Sequence, residues 1–292
     1  VIRFSYAEAM IDPSFYGPLA RAAEEAGFDS FVVPESIVYP RDSTTGYPYV
    51  EGGGREFLED KPFIDPFVLA GSLSLVTERL RFVTFVVKLP LRHPVLAAKQ
   101  AASVSVVSGG RFALGVGLSP WPEDYEACGQ PWPSRGPRMD EQLDIIDGLC
   151  AGGYFEYHGS FYDLAPVKIC PVPTARLPIL VGGHAPAALE RAARWDGWLH
   201  AGSESGRLGE MIGSLRSMRR RLGRADETFE IHVISLDGYS VDGCRRLEAL
   251  GVTDVIIGFR DPYRPGPDTE PLPAKLEAIA RFGERVIGPV KG

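Results

Sequence analysis

Residues 89–117, LPLRHPVLAAKQAASVSVVSGGRFALGVG, hold a complete helix and the strand that follows it, and they set the reading of the chain. His93-Pro94 opens the helix, because a proline at the first helical position gives up an N–H that has no intrahelical partner. Gly109-Gly110 close it, since glycine takes the left-handed conformation in which helices commonly end. Phe112–Val116 then reads as a buried strand, and FVTFVV, Phe82–Val87, reads as the strand upstream. Strand, helix and strand without a hairpin turn make a parallel unit, whose strands need a long crossover between them.

Outward from this unit the same alternation continues in both directions. Val1–Tyr6 is the first strand. Asp12-Pro13-Ser14 opens a helix with Leu19, Ala22, Ala23 and Ala26 on one face, ended by Gly27. Ser30–Val33 is the second strand, and a helix starts at Asp65-Pro66. Downstream, Arg138–Ala151 is amphipathic, and Pro178–Val181, Gly197–His200, Glu230–Leu236 and Thr253–Gly258 read as strands. Helices at Ala185–Arg194, Gly206–Leu222, Cys244–Leu250 and Leu272–Val286 separate or follow them. Runs such as ILV and VIIGF are continuously apolar, as in parallel strands buried on both faces. Eight strands with intervening helices predict a (β/α)8 TIM barrel, a single domain over 1–292. The GxGxxG fingerprint of a doubly wound dinucleotide fold is absent after the first strand.

Two connections are long for such a fold. Residues 37–61 carry Gly52-Gly53-Gly54 with Tyr39, Tyr47, Tyr49 and Phe57; residues 118–137 carry five prolines with Trp121, Tyr125 and Trp132. They follow the second and fourth strands and therefore fall on the face where barrel enzymes assemble their sites. Both are expected to act as lids.

The composition narrows the function classes. A net charge of -7 over 292 residues argues against a general nucleic-acid binder, which needs a basic face. Cys128, Cys150, Cys170 and Cys244 have no CxxC or CxxH spacing, and the five histidines form no HxH or HExxH pattern, so no metal site is expected. VIRFSYAEAM is too polar for a signal peptide, and no apolar run reaches the roughly 18 residues of a membrane span. A cytoplasmic protein with a small-molecule substrate, and no membrane or nucleic-acid partner, is the expectation. Arg216–Arg224, RSMRRRLGR, reads as a solvated helix face, with an acidic cofactor tail as the alternative partner.

R-x-P followed by AKQAA and SGGRFALGVG resembles the luciferase-like monooxygenase superfamily. So do EDYEACG with RGPRMDE, the short hairpin GSFYDL at Gly159–Leu164, and PILVGGHAPAALERAARWDGWL at Pro178–Leu199. The matches cover about residues 1–205, and the last third matches in architecture. The resemblance implies a flavin or deazaflavin at the strand ends and a possible homodimer formed through helices. LPLRHPVLAAKQ, VPES and LVGGHAPAAL look most like the branch that uses deazaflavin coenzyme F420.

Several residues follow as candidates. Gly182 and Gly183, with His184, end a strand before the helix start at Ala185-Pro186, where small residues and the helix dipole suit an anion. Ala201, Gly202 and Ser203 offer further amides and a hydroxyl, and the resemblance implies the cofactor phosphate here. Gly115 and Gly117 would let a flat ring approach the backbone. The resemblance also implies a non-prolyl cis peptide between Phe85 and Val86, beside the ring. Glu35, in VPES, would meet the ring or shuttle a proton; Ser36 stands where relatives often carry histidine, leaving His184 and His200 as alternative proton donors. Ser119-Pro120 departs from the family's more usual Gly-Trp. Arg92 is expected to tie its loop to neighbouring carbonyls.

Three functions compete. The first is hydride transfer between coenzyme F420 and a small organic substrate, with Glu35 and His184 as catalytic residues. The second is an FMN-dependent monooxygenase using reduced flavin and oxygen. The third is a non-catalytic cofactor-binding protein.

Overall fold

The computed structural model describes residues 1–42, 45–47, 51–202 and 205–292. Its strands are β1 (Arg3–Ala7), β2 (Ser30–Val33), β3 (Arg81–Thr84), β4 (Val87–Lys88), β5 (Phe112–Gly117), β6 (Phe155–His158), β7 (Asp163–Val167), β8 (Ile179–Gly182), β9 (Gly197–His200), β10 (Glu230–Ile234) and β11 (Asp254–Ile257). The antiparallel β6–β7 hairpin lies outside the barrel. The remaining strands pair in parallel, β4 continuing the line of β3. Pairing of Arg3 with Asp254 through Tyr6 with Ile257 joins β1 to β11 and closes the barrel. The eight-stranded TIM barrel expected from the alternation is therefore the fold.

Helices α1 (Tyr16–Glu25), α2 (Pro66–Ser74) and α3 (Pro94–Val107) fill the first crossovers. Their start signals are visible in the bonds: the Asp65 carboxylate accepts from the amides of Phe67 and Val68, and His93 Nδ1 accepts from Val95 N. Gly109 and Gly110 have φ of 66° and 83° as α3 ends. Next come α4 (Pro122–Ala127), α5 (Arg135–Cys150), α6 (Pro186–Arg194), α7 (Leu208–Arg221), α8 (Val241–Leu250), α9 (Leu272–Phe282) and the short α10 (Gly288–Lys291). The closing helix expected to run to Val286 instead changes at Gly283 into a wider π turn over Gly283–Ile287. There Gly283 lies so close to the Ala26 carbonyl that a Cβ would sit 2.7 Å from it. No helix among the described residues is long and apolar enough to cross a membrane.

Alternation along the strands sorts side chains into two cores. Phe31, Phe82, Phe112, Val181 and Val255 face the helices in the large outer core. Val32, Val83, Ala113, Leu180, Leu199 and Ile256 form a smaller layer inside the barrel, with Ala7, Phe85 and Val86 packed above it. Below that layer, at the amino ends, lie Arg3, Arg81, Glu230, His232 and Asp254. The interior is thus plugged from beneath and open only towards the carboxyl ends, as in other packed barrels.

Two arginines depart from expectation. Arg92 pairs with carboxylates, those of Glu35 and Asp65, rather than with carbonyls. It is Arg111 that gathers the carbonyls of Ser74, Leu80 and Ser108 at 2.7–2.8 Å. Arg219, on the supposed solvated face of α7, is 4 % exposed; it donates to the carbonyls of Ala193, Trp195 and Glu227 and covers the Phe229 ring. A planar guanidinium with five donors can close carbonyl-rich helix ends from inside the fold, so a run of arginines need not be a surface.

Candidate active-site cleft

A cleft of ≈ 460 Å³ opens at the carboxyl ends of β1, β2, β9, β10 and β11. Strand ends place its wall: Ala7 ends β1 and Glu8 follows it, Pro34 follows β2, Ala201 and Gly202 follow β9, and Gly258 and Arg260 follow β11. Val32, Phe85, Ile234, Ile256 and Leu236 make most of the lining apolar. Volumes of this size take drug-sized or cofactor-sized molecules, and a few polar groups set orientation.

Those polar groups are Glu8, Arg260, Ser235 and the tyrosines Tyr239 and Tyr263. Glu8 Oε2 accepts from the Tyr6 hydroxyl at 3.1 Å and from Lys275 Nζ at 3.2 Å. Burial, with Glu8 beside it, drives the Tyr6 phenol far above its usual range, so it stays a neutral donor. Lys275 also holds Asp268 and Glu270, at 2.9 and 3.2 Å, and this fastens the β11–α9 connection over the cleft. Arg260 donates to the Ala9 carbonyl at 2.7 Å.

The two lids expected from the sequence pack against each other and against this third connection. Trp121, from the second, lies under Arg55 at 4.0 Å and near Lys88 at 4.6 Å, and against Tyr47 of the first. Tyr263 meets Phe57 edge-on at 5.2 Å and so joins the lid cluster to the cleft wall. Inside the second lid, α4 places Asp124 where it accepts from Lys88 at 2.7 Å and Ser119 at 2.5 Å. Burial lowers the Lys88 pKa against the opposing pull of Asp124. Ser119 therefore anchors the lid from within. Tyr49, named for the first lid, lies outside the described residues.

The structure separates the expected site residues. Phe85–Val86 is cis, and Phe85 lines the cleft. Val86 turns to the neighbouring strands: a Cβ on Gly117 would lie 2.7 Å from it, and one on Gly182 would lie 3.0 Å from it. Gly115 and Gly117 permit a close approach between strands. Both are buried, and a Cβ on Gly115 would fall 1.8 Å from the Thr84 carbonyl, so each strand can come close to its neighbour there.

Glu35 is not among the residues that line the cleft. Its carboxylate is 2 % exposed, accepting from Lys88 N at 2.7 Å and from both Arg92 amino groups. Burial raises its pKa, opposed by Arg92 and the Lys88 amide. The pair holds the loop after β2 to the chain beyond β4, a positioning task. His184 likewise does not line the cleft. Its ring stacks on His200 at 4.4 Å beside Trp198, whose Nε1 donates to the Gly183 carbonyl.

The expected anion cradle is partly spent within the protein. The Ala201 amide donates to His184 Nε2 and the Gly202 amide to His200 Nδ1, because each strand-end imidazole folds onto the adjoining backbone. Gly183, at φ 125°, still turns the chain into the exposed start of α6, whose dipole favours an anion. Ser203 lies outside the described residues. Glu8, Arg260 and Tyr263 escaped sequence reasoning. The signal for Glu8 was its place directly after the first strand, the position from which barrel enzymes draw functional side chains.

Residues 5–236 match the family described as luciferase-like monooxygenase. An uncharacterised protein of Mycobacterium tuberculosis (strain ATCC 25618 / H37Rv) is 56% identical over 289 residues, covering 99% of this chain and 100% of that one. An F420-dependent glucose-6-phosphate dehydrogenase of Microbacterium testaceum is 31% identical over 176 residues, 59% of this chain and 47% of its own. An FMNH(2)-dependent dimethylsulfone monooxygenase of Pseudomonas putida is 30% identical over 224 residues, 75% and 56% respectively. The crystal structure of monooxygenase RslO1 from Streptomyces bottropensis superposes with a TM-score of 0.77 at 18% identity, over 99% of each chain.

Proposed function

The chain belongs to the luciferase-like monooxygenase family, and from that premise we propose that it is an oxidoreductase moving a hydride between deazaflavin coenzyme F420 and a small organic substrate. The observation that carries this is the cleft at the strand ends, apolar over most of its lining and bordered by a buried carboxylate, Glu8. Hydride transfer needs two carbon centres held in contact away from water, with a proton-accepting group beside them. The sequence likeness to an F420-dependent dehydrogenase supports the choice of coenzyme.

When bound, the deazaflavin supplies a carbon that accepts or gives a hydride. The protein's part is position and exclusion of water. Val32, Phe85 and Ile256 offer an apolar floor for a flat ring, and Tyr263, packed edge-on against Phe57 of the first lid, stands in the wall. The start of α6, beyond Gly183, suits the anionic end of such a molecule. Glu35 and Arg92 keep the β3–β4 wall in place.

The likeness to an FMNH(2)-dependent monooxygenase favours a second reading, in which reduced FMN activates oxygen in the same cleft. Titrating the purified protein with each coenzyme separates the two. The expected result is saturable quenching of deazaflavin fluorescence at micromolar concentration and weaker binding of FMN. Binding of FMN alone, with oxygen consumed when the flavin is reduced, overturns the proposal.

A further inference from the structure

We infer that the cleft selects substrates bearing a carboxylate or phosphate group and that Lys61 and Arg260 hold that group at the rim; the inference rests on the reading above that substrate meets coenzyme in this cleft. Hydrogen-bonding capacity is unevenly used at this end of the barrel. Lys275, 2 % exposed, lies 3.2, 2.9 and 3.2 Å from Glu8, Asp268 and Glu270, so its three donors serve three carboxylates. Glu8 also accepts from the Tyr6 hydroxyl, and Asp268 from the Glu270 amide. All three carboxylates are therefore served without a hydrogen bond from any other cation.

Arg260 and Lys61 keep donors in reserve. Arg260 lines the cleft with its side chain 18 % exposed, and its Nη2 donates to the Ala9 carbonyl at 2.7 Å. Its Nε stands 3.9 Å from Glu8 and its Nη1 3.7 Å from Asp268, beyond hydrogen-bond reach. Lys61 comes from the first lid. Its amide donates to the Leu58 carbonyl at 3.2 Å and closes a turn in which Asp60 takes φ 56°, a left-handed conformation uncommon for a residue with a side chain. Beside that turn Phe57, Leu58 and Phe63 pack in one cluster with Ala9, Met10 and Tyr263. Ala9 is the residue whose carbonyl Arg260 holds, and Tyr263 lines the cleft, so the turn delivers Lys61 to the Arg260 side.

The half-buried Lys61 ammonium stands in electrostatic range of Arg260 and Asp268, and among the described residues it makes no hydrogen bond or ion pair. Burial first, and Arg260 next, lower its pKa, against an upward pull from Asp268. Two like charges are thus held near one another with unused donors. An arriving anion relieves their repulsion and takes charge-assisted hydrogen bonds from both. Beyond the rim the lining is apolar through Ile234, Leu236 and Ile256, so the molecule that fits both parts has an apolar body and one anionic end.

Equilibrium binding to the wild-type protein without coenzyme, read by ligand-observed NMR, tests the substrate class with cyclohexylmethanol, cyclohexanecarboxylate and cyclohexyl phosphate. At least one anion should bind about tenfold more tightly than the alcohol, a difference of about 1.4 kcal/mol. Anions that bind no more tightly than the alcohol overturn the class whichever coenzyme the protein uses. In Lys61→Gln the anion's advantage should shrink to within about threefold while affinity for the alcohol and Tm stay as in wild type, and Lys61→Arg should keep the advantage. An advantage left intact in Lys61→Gln overturns the role of Lys61. Salt gives a reading that needs no variant: the advantage should fall between about 0.05 and 0.5 M NaCl, and a constant one counts against the proposal. The coenzyme's own anionic end is the other source of such a group. Deazaflavin quenching should be equally strong in wild type and Lys61→Gln. A coenzyme Kd weakened about tenfold by the substitution assigns the two cations to the coenzyme and overturns the substrate reading. Absence of quenching in the wild type marks failure of the coenzyme reading instead, and the NMR comparison still decides the substrate class.

Discussion

At the amino ends of the strands, Arg3, Arg81, Glu230, His232 and Asp254 fill the barrel floor; at the carboxyl ends, Glu8, Arg260, Asp268, Glu270 and Lys275 stand beside a cleft. Both groups gather ionisable side chains from strands far apart in the chain. On the floor each carboxylate has its own guanidinium: Asp254 takes Arg3 at 2.9 and 2.7 Å, and Glu230 takes Arg81 at 2.8 Å. Glu230, His232 and Asp254 come close enough to resemble a metal site. Two guanidiniums already balance the two carboxylates there, so a dication would only add uncompensated charge. At the other end the charged groups are shared less tightly, Lys275 serving three carboxylates, and Glu8 and Arg260 line open volume. Ion pairs closed upon themselves hold the fold; charged groups with spare capacity beside a cavity are available for chemistry.

The largest effect expected of this contrast is on the floor. Asp254→Ala removes one of the two carboxylates that Arg3 and His232 share, leaving both on Glu230 alone, and should cost about 3–5 kcal/mol in urea unfolding, while coenzyme affinity per folded molecule stays unchanged. Loss of coenzyme binding with full stability would erase the distinction between the two ends. Between them, Gly115→Ala forces a Cβ against the Thr84 carbonyl and should cost about 1–3 kcal/mol or more, again seen as stability and not as a specific loss of ring binding.

Acid sharpens the comparison further. The neighbours His232 and Arg81 outweigh burial and hold Glu230 far below its ordinary 4.5. A depressed folded value means that its contribution is complete above about 4.5 and is lost as pH falls through that folded value. The melting-temperature gap between wild type and Glu230→Gln should therefore narrow from pH 6 towards pH 3, and a constant gap would count against the pairing. The smallest effect belongs to the open end. Tyr263→Ala should alter stability by less than about 1 kcal/mol while raising KM for the substrate, measured in steady-state turnover.

Much of the barrel was legible because its signals are local. Gly109-Gly110, Asp65-Pro66 and His93-Pro94 mark helix ends by the conformations and hydrogen bonds they favour, and continuous apolar runs mark strands buried on two faces. The site was less legible. Glu35 carried the right chemistry near the right strand, but Arg92, 57 residues away, captured its carboxylate. Glycines at 115 and 117 correctly signalled a close approach, yet the partner was the adjoining strand. Strand-end histidines 184 and 200 turned to backbone amides next to them.

By itself, the sequence determined the alternation of strands and helices, the places where helices begin and end, and the two long lids, since each depends on residues within a turn or two of one another. The tertiary structure alone decided which groups share the cleft. Glu8 and Lys275 are separated by 267 positions, and Arg3 and Asp254 by 251. Only closure of β1 on β11 brings these partners together, one pair at the floor of the barrel and the other at the rim of the cleft.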